Sequence, residues 1–126
     1  MTPAAQLLNL VNAARAELGR PALAANAMLW NAAQELANWI AKTGIVDHWD
    51  FEGRLVRSGY RAAAKAENAA LAYSLSQTVD LWLRSLLHRR HLLDNYPHAG
   101  VGVAPDRRGR LACVILFAAP AREGAA

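Results

Sequence analysis

Residues 111–118, LACVILFA, are apolar at every position. A strand with one wet face alternates apolar and polar side chains, so an unbroken apolar run predicts a strand covered on both faces. Just upstream, residues 100–104, GVGVA, form a second strand-like run, and the PDRRGR between them carries the Pro and Gly of a hairpin loop. The rest of the chain must supply the cover, and its pattern is helical. Thr2 and Pro3 make an N-cap and first-turn pair, after which Leu7, Val11, Ala14 and Leu18 recur at helical steps until Gly19 and Pro21. Leu29, Ala33, Leu36 and Ile40 repeat the rhythm from about Ala27 to Gly44. Val79, Trp82, Leu83 and Leu86 form a third stripe, capped by Ser76. Together these predict an α+β fold, a three-layer α-β-α sandwich with a small antiparallel sheet between helices.

The chain of 126 residues has the length of one domain, 1–126, with about 119–126 read as a disordered tail because AREGAA has nothing to bury. Hydrophobic residues at 54% and charged residues at 19% exclude a disordered protein. Fourteen basic and ten acidic side chains leave a net charge of +4, a modest excess that favours anionic encounters without establishing a nucleic-acid partner. The single cysteine, Cys113, excludes an intrachain disulfide and lies in the apolar run as a small hydrophobe. No stretch is long and apolar enough to span a bilayer. The opening MTPAAQLLNLVNAARAEL lacks a basic segment followed by an apolar run. Two compartments stay open: the cytoplasm, or export with the leader absent from this sequence.

Between the second and third helical stripes lies the least regular segment, residues 43–73. It holds His48 among Asp47, Asp50 and Glu52, and it holds Glu67 just before AALAY, a short strand candidate. The other three histidines, His88, His91 and His98, fall within residues 86–100. His88 and His91 are three apart and share a helix face, yet HRRH has neither the four-residue step nor the glutamate of an HExxH zinc site. His98, beyond Pro97, reads as a solvated loop residue. Nucleophile-elbow, phosphate-loop and dinucleotide signatures are absent. Arg84, Arg89, Arg90, Arg107, Arg108 and Arg110 could line a basic patch, but a solvated helix face and hairpin tip explain them as well. Trp30, Trp39 and Trp82 sit on helical segments as packing residues.

Four segments in order nevertheless resemble the CAP superfamily of cysteine-rich secretory, antigen 5 and pathogenesis-related proteins, and within it the bacterial single-domain SCP-like branch. They are N-x-x-R at Asn12 and Arg15, the mid-chain His48 of DHWD, E-N-x-A beginning at Glu67, and W-x-x-S-x-x-H-R from Trp82 to Arg89. The resemblance runs from about Leu7 to Phe117 and implies a cleft in which His48, Glu67 and His88 converge. Two imidazoles and a carboxylate suit Zn²⁺ or another divalent cation with a position left open. Asp50, Asn68, Ser85 and His91 would line the cleft or its periphery. Ser85 stands where many eukaryotic members carry a second glutamate, and His91 where asparagine is common. Ala66 replaces a usual glycine, the segment after His48 is short, and Cys113 and Ile115 make the last strand more apolar than in relatives.

The resemblance implies a binding module, exported to a secreted or periplasmic location, for a cation and an extended or lipid-like ligand, with a small molecule or peptide as other candidates. A metal-dependent hydrolase using Glu67, or Asp50 or Glu52, as base is the alternative reading. A basic nucleic-acid-binding protein is the third. A purely structural role, in which Glu67 and the histidines tie helices to sheet, also accounts for the residues.

Overall fold

In the computed structural model, which describes residues 1–122, the chain forms the predicted sandwich. The order is α1 (Pro3–Glu17), β1 (Ala24–Ala25), α2 (Ala27–Thr43), α3 (Phe51–Ser58), β2 (Ala62–Ala72), α4 (Leu75–Arg84), α5 (Leu86–Leu93), β3 (His98–Pro105) and β4 (Leu111–Pro120). The sheet runs β1-β3-β4-β2, so β4, the strand of LACVILFA, is central and β2 lies at an edge. Successive side chains of β4 point to opposite faces, and both faces are filled. Cys113, Ile115 and Phe117 pack with Leu7, Val11 and Trp82 on the α1, α4 and α5 side. Ala112, Val114, Leu116 and Ala118 meet Leu29, Leu36 and Ile40 of α2 and Leu55 of α3 on the other.

Glycine lets α2 approach the sheet. A Cβ on Gly100 would overlap the backbone of Leu29 and Trp30, and one on Gly102 the backbone of Ala33 and Gln34. With those side chains absent, Gln34 exchanges hydrogen bonds with the backbone of Val103, donating at 3.1 Å and accepting at 3.3 Å. The GVG of the sequence is therefore a contact surface for a helix as well as a strand.

Several differences from the sequence reading follow from local physics. The irregular segment contains a helix, α3, whose single apolar turn was too short to show a period. The third stripe is two helices, because Ser85 adopts extended backbone (ψ 123°) between α4 and α5. Ser74, not Ser76, caps α4 by accepting from the Gln77 amide. β2 is eleven residues long rather than the five of AALAY, its first half being too exposed to read as a strand. The sheet is mixed, since the two-residue β1 joins β3 in parallel and only the other pairings are antiparallel. Ala119 and Pro120 belong to β4 rather than to a tail, and residues 123–126 lie outside the described residues. Among the described residues no helix is long and apolar enough to cross a membrane.

Candidate binding cleft

The predicted site is built around two adjacent residues of the edge strand. Glu67 pairs with Leu116 and Asn68 with Ile115, so the two side chains leave β2 on opposite faces. Glu67 faces the layer of α2 and α3. There the Arg54 guanidinium grips it in a two-pronged ion pair, with Nη1 to Oε2 and Nη2 to Oε1 both at 2.8 Å, and both side chains are buried. Arg54 is held in turn by the carbonyls of Trp49 (2.8 Å) and Ala32 (3.1 Å). Paired and hydrogen-bonded throughout, these charges meet the conditions under which ions survive burial.

His48 lies over this pair at the surface, its Nδ1 donating to Glu67 Oε1 at 2.9 Å. That hydrogen bond holds the imidazolium and raises the His48 pKa above the ordinary histidine value, against the opposing effects of partial burial and of Arg54. The neighbouring Trp49 stacks on Trp39 of α2, with centroids 5.7 Å apart and planes 6° from parallel, which anchors the loop carrying His48.

Asn68 faces α5 instead. Its Nδ2 donates to the His88 carbonyl at 2.9 Å, and its Oδ1 accepts from His91 Nδ1 at 3.0 Å. His88 Nδ1 meets Ser85 Oγ at 2.8 Å across the first turn of α5. Burial lowers the pKa values of both His88 and His91. The charge on His48 lowers them further, and His88 adds to the effect at His91, so the three imidazoles lie within electrostatic reach of one another. The sequence-predicted residues thus gather around the β2 edge, His48 and Glu67 from one layer and Ser85, His88 and His91 from the other, with Asn68 joining His88 to His91.

Asp50 and Glu52 do not join them. Asp50 precedes α3 in left-handed backbone (φ 49°) and pairs with Arg57 at 2.9 Å. Glu52 pairs with Lys65 at 2.8 Å. His98 is no loop residue: it opens β3 and is hydrogen-bonded to Tyr60 at 2.8 Å. Arg54 is the functional residue that sequence reasoning missed. Its signal was present, since Phe51, Arg54, Leu55 and Ser58 share one helix face, and a charge inside an apolar stripe demands a buried partner.

The geometry bears directly on a metal. Both Glu67 oxygens are committed to Arg54, and a cation beside them would face that guanidinium. Among the described residues no three His, Cys, Asp or Glu side chains are gathered as a ligand set. With the carboxylate occupied by Arg54, the imidazoles are the side chains of this group that would be left to meet a cation. In that arrangement Glu67 orients His48 from behind, a familiar role for carboxylates next to metal-binding histidines.

Residues 8–117 match the CAP family, described as the cysteine-rich secretory protein family, and the chain belongs to it. Its fold is similar to that of an outer surface protein from Borrelia burgdorferi (TM-score 0.82, 20% identity, 91% of this chain and 90% of that one). It is equally similar to an extracellular SCP-domain protein from Bacillus anthracis (TM-score 0.82, 22% identity, 92% of this chain). The chain spans 40% of that longer protein. Schistosoma mansoni venom allergen-like protein 4 also matches (TM-score 0.72, 15% identity, 98% of this chain and 92% of that one). No curated protein matches the sequence.

Proposed function

We propose that this CAP domain is a binding module that holds a ligand over the β2 edge rather than turning one over. The observation that carries the reading is the Arg54–Glu67 ion pair: the carboxylate best placed to serve as a general base is already neutralised and buried. A divalent cation would be taken by His48 and His88 through Nε2, since each turns its Nδ1 to a partner within the protein. The Ser85 hydroxyl would then accept from His88 Nδ1, fixing the tautomer that leaves Nε2 free to ligate. Beside His48 stand the exposed Ile45, Val46 and Trp49, and beside His88 the exposed Leu86 and Leu87. Those flanks would give an extended or lipid-like ligand its apolar contacts. The outer-surface and extracellular proteins that share the fold support an exported location.

The test is a calorimetric titration of Zn²⁺ into metal-stripped protein, run beside His48→Ala and His88→Ala variants whose fold is checked by circular dichroism. One saturable site that both variants lose is expected. Equal binding by either variant overturns the two-imidazole site. Zinc-dependent cleavage of a peptide or ester that His88→Ala abolishes overturns the non-enzymatic reading.

A further inference from the structure

A second concave surface lies at the other end of β2. It is a cavity of about 840 Å³ lined by Asn26 and Met28 at the start of α2, by Tyr60 and Arg61 ahead of β2, and by His98 and Arg122, with Ala63 on its wall. Ala63 is four residues from Glu67, which along a strand is roughly 13 Å, so the cavity is separate from the cleft.

Its chemistry is one-sided. The charged side chains that line it, Arg61 and Arg122, are both cationic. Among the described residues neither forms an ion pair. A smaller adjoining cavity shares Tyr60 and Arg61 and contains Glu52, but that carboxylate is matched by Lys65. The α2 N-terminus adds the positive end of a seventeen-residue helix, with Asn26 capping the Leu29 amide.

The polar wall is fixed rather than loose. Tyr60 is buried, and its hydroxyl sits 2.8 Å from His98 Nδ1, the two rings meeting edge to face at 88°. Burial pushes the Tyr60 hydroxyl pKa up, so the hydrogen bond with His98 Nδ1 is made by a neutral phenol. With Nδ1 engaged by Tyr60, Nε2 is the imidazole nitrogen with no partner among the described residues, and it carries the proton in the tautomer where the phenol donates. The exposed Met28 supplies an apolar surface.

We propose that this cavity is a second binding site, independent of the histidine–glutamate cleft, for a small organic anion. The phosphate or carboxylate group would sit between Arg61 and Arg122 within reach of His98 Nε2, and the apolar body would rest against Met28 and the Tyr60 ring. Cationic groups without counter-ions among the described residues, an imidazole nitrogen with no partner there and an apolar wall are the features by which small pockets choose such ligands.

The probe is phenyl phosphate, titrated into the full isotope-labelled chain and followed by NMR at Tyr60, His98 and the Arg61 amide. Saturable shifts are expected there, with tighter binding than inorganic phosphate and no response to phenol at the same concentration. Arg61→Gln/Arg122→Gln should weaken binding by more than about tenfold, the scale of one lost charge-assisted hydrogen bond, since two are removed. Arg107→Gln/Arg108→Gln, on the hairpin, and His88→Ala, in the cleft, should leave it unchanged. Absence of saturable shifts at Tyr60 and His98, or unaltered affinity in Arg61→Gln/Arg122→Gln, overturns the site. Affinity for inorganic phosphate equal to that for phenyl phosphate overturns the apolar wall as part of it.

Discussion

Arg15 and Arg54 are both buried completely, yet the fold satisfies them in different ways. Arg15, at the end of α1, donates only to carbonyls: those of Pro21 (2.9 Å), Leu92 (2.8 Å) and Asp94 (2.9 Å). The last two belong to the C-terminal end of α5, where unpaired carbonyls and the helix dipole favour a cation. Desolvation, and then the nearby Arg20, pull the Arg15 pKa below the ordinary guanidinium value, with Asp94 opposing. Arg54 has a carboxylate for a partner, and that carboxylate also holds His48. One arginine is a staple between helix ends; the other sets the charge of the site.

Removing each charge should separate the two roles. Arg54→Met leaves a buried carboxylate with only the half-exposed His48 as partner, which costs about 3–5 kcal/mol. Arg15→Met leaves three carbonyls short of a donor, of which those of Pro21 and Asp94 are only part-buried, and should cost about 2 kcal/mol. Urea unfolding of the two variants gives the comparison, and Arg54→Met/Glu67→Gln should recover part of the larger loss. A cost for Arg54→Met no greater than that for Arg15→Met would mean that Glu67 finds water or another partner, and that the ion pair does not define the site.

The two arginines also mark how far the sequence could be read. Arg15 belongs to N-x-x-R, and its companion Asn12 exchanges hydrogen bonds with the Leu23 backbone at 2.8 and 3.1 Å, so both serve the segment that leads into β1. Their spacing is local and helical, which made the motif visible. The central strand was equally legible, because burial on both faces removes every polar residue from it. Arg54 was not, since its partner lies thirteen residues away on a strand whose exposed first half hid it. The division of the cleft was hidden too. Glu67 and Asn68 are neighbours in sequence, and only the pairing of β2 with β4 sends one to α3 and the other to α5. The motif therefore pointed to residues that the fold brings to the β2 edge, while the buried ion pair that occupies the Glu67 carboxylate could not be read from it.

A gentler substitution sharpens the contrast. Lysine keeps the charge and loses the planar fork. At position 54 it can meet one Glu67 oxygen while leaving the Trp49 or Ala32 carbonyl unserved, and it should cost about 1–2 kcal/mol. At position 15 a lysine ammonium can still reach carbonyls clustered at one helix end, so the loss should be smaller. Equal losses would show that the fork geometry at Glu67 adds nothing beyond its charge.

The smallest effect is the most specific to the site, and it concerns protons. His48 has a raised pKa because Glu67 accepts its hydrogen bond, so its stabilising contribution is complete below the unfolded histidine value and fades as pH rises through the higher folded one. His88 and His91 have lowered values through burial, so each opposes the fold as pH falls below the unfolded histidine value, until the folded group also protonates. A histidine NMR titration should therefore find His48 protonating at higher pH than His88 and His91. In Glu67→Gln the His48 midpoint should fall back toward the ordinary value, and with less charge on His48 the midpoints of His88 and His91 should move up. Arg15→Met, which touches none of these groups, should leave the order intact. A His48 midpoint unmoved by Glu67→Gln would separate His48 from the Arg54–Glu67 pair and leave the second arginine, like the first, a staple of the fold.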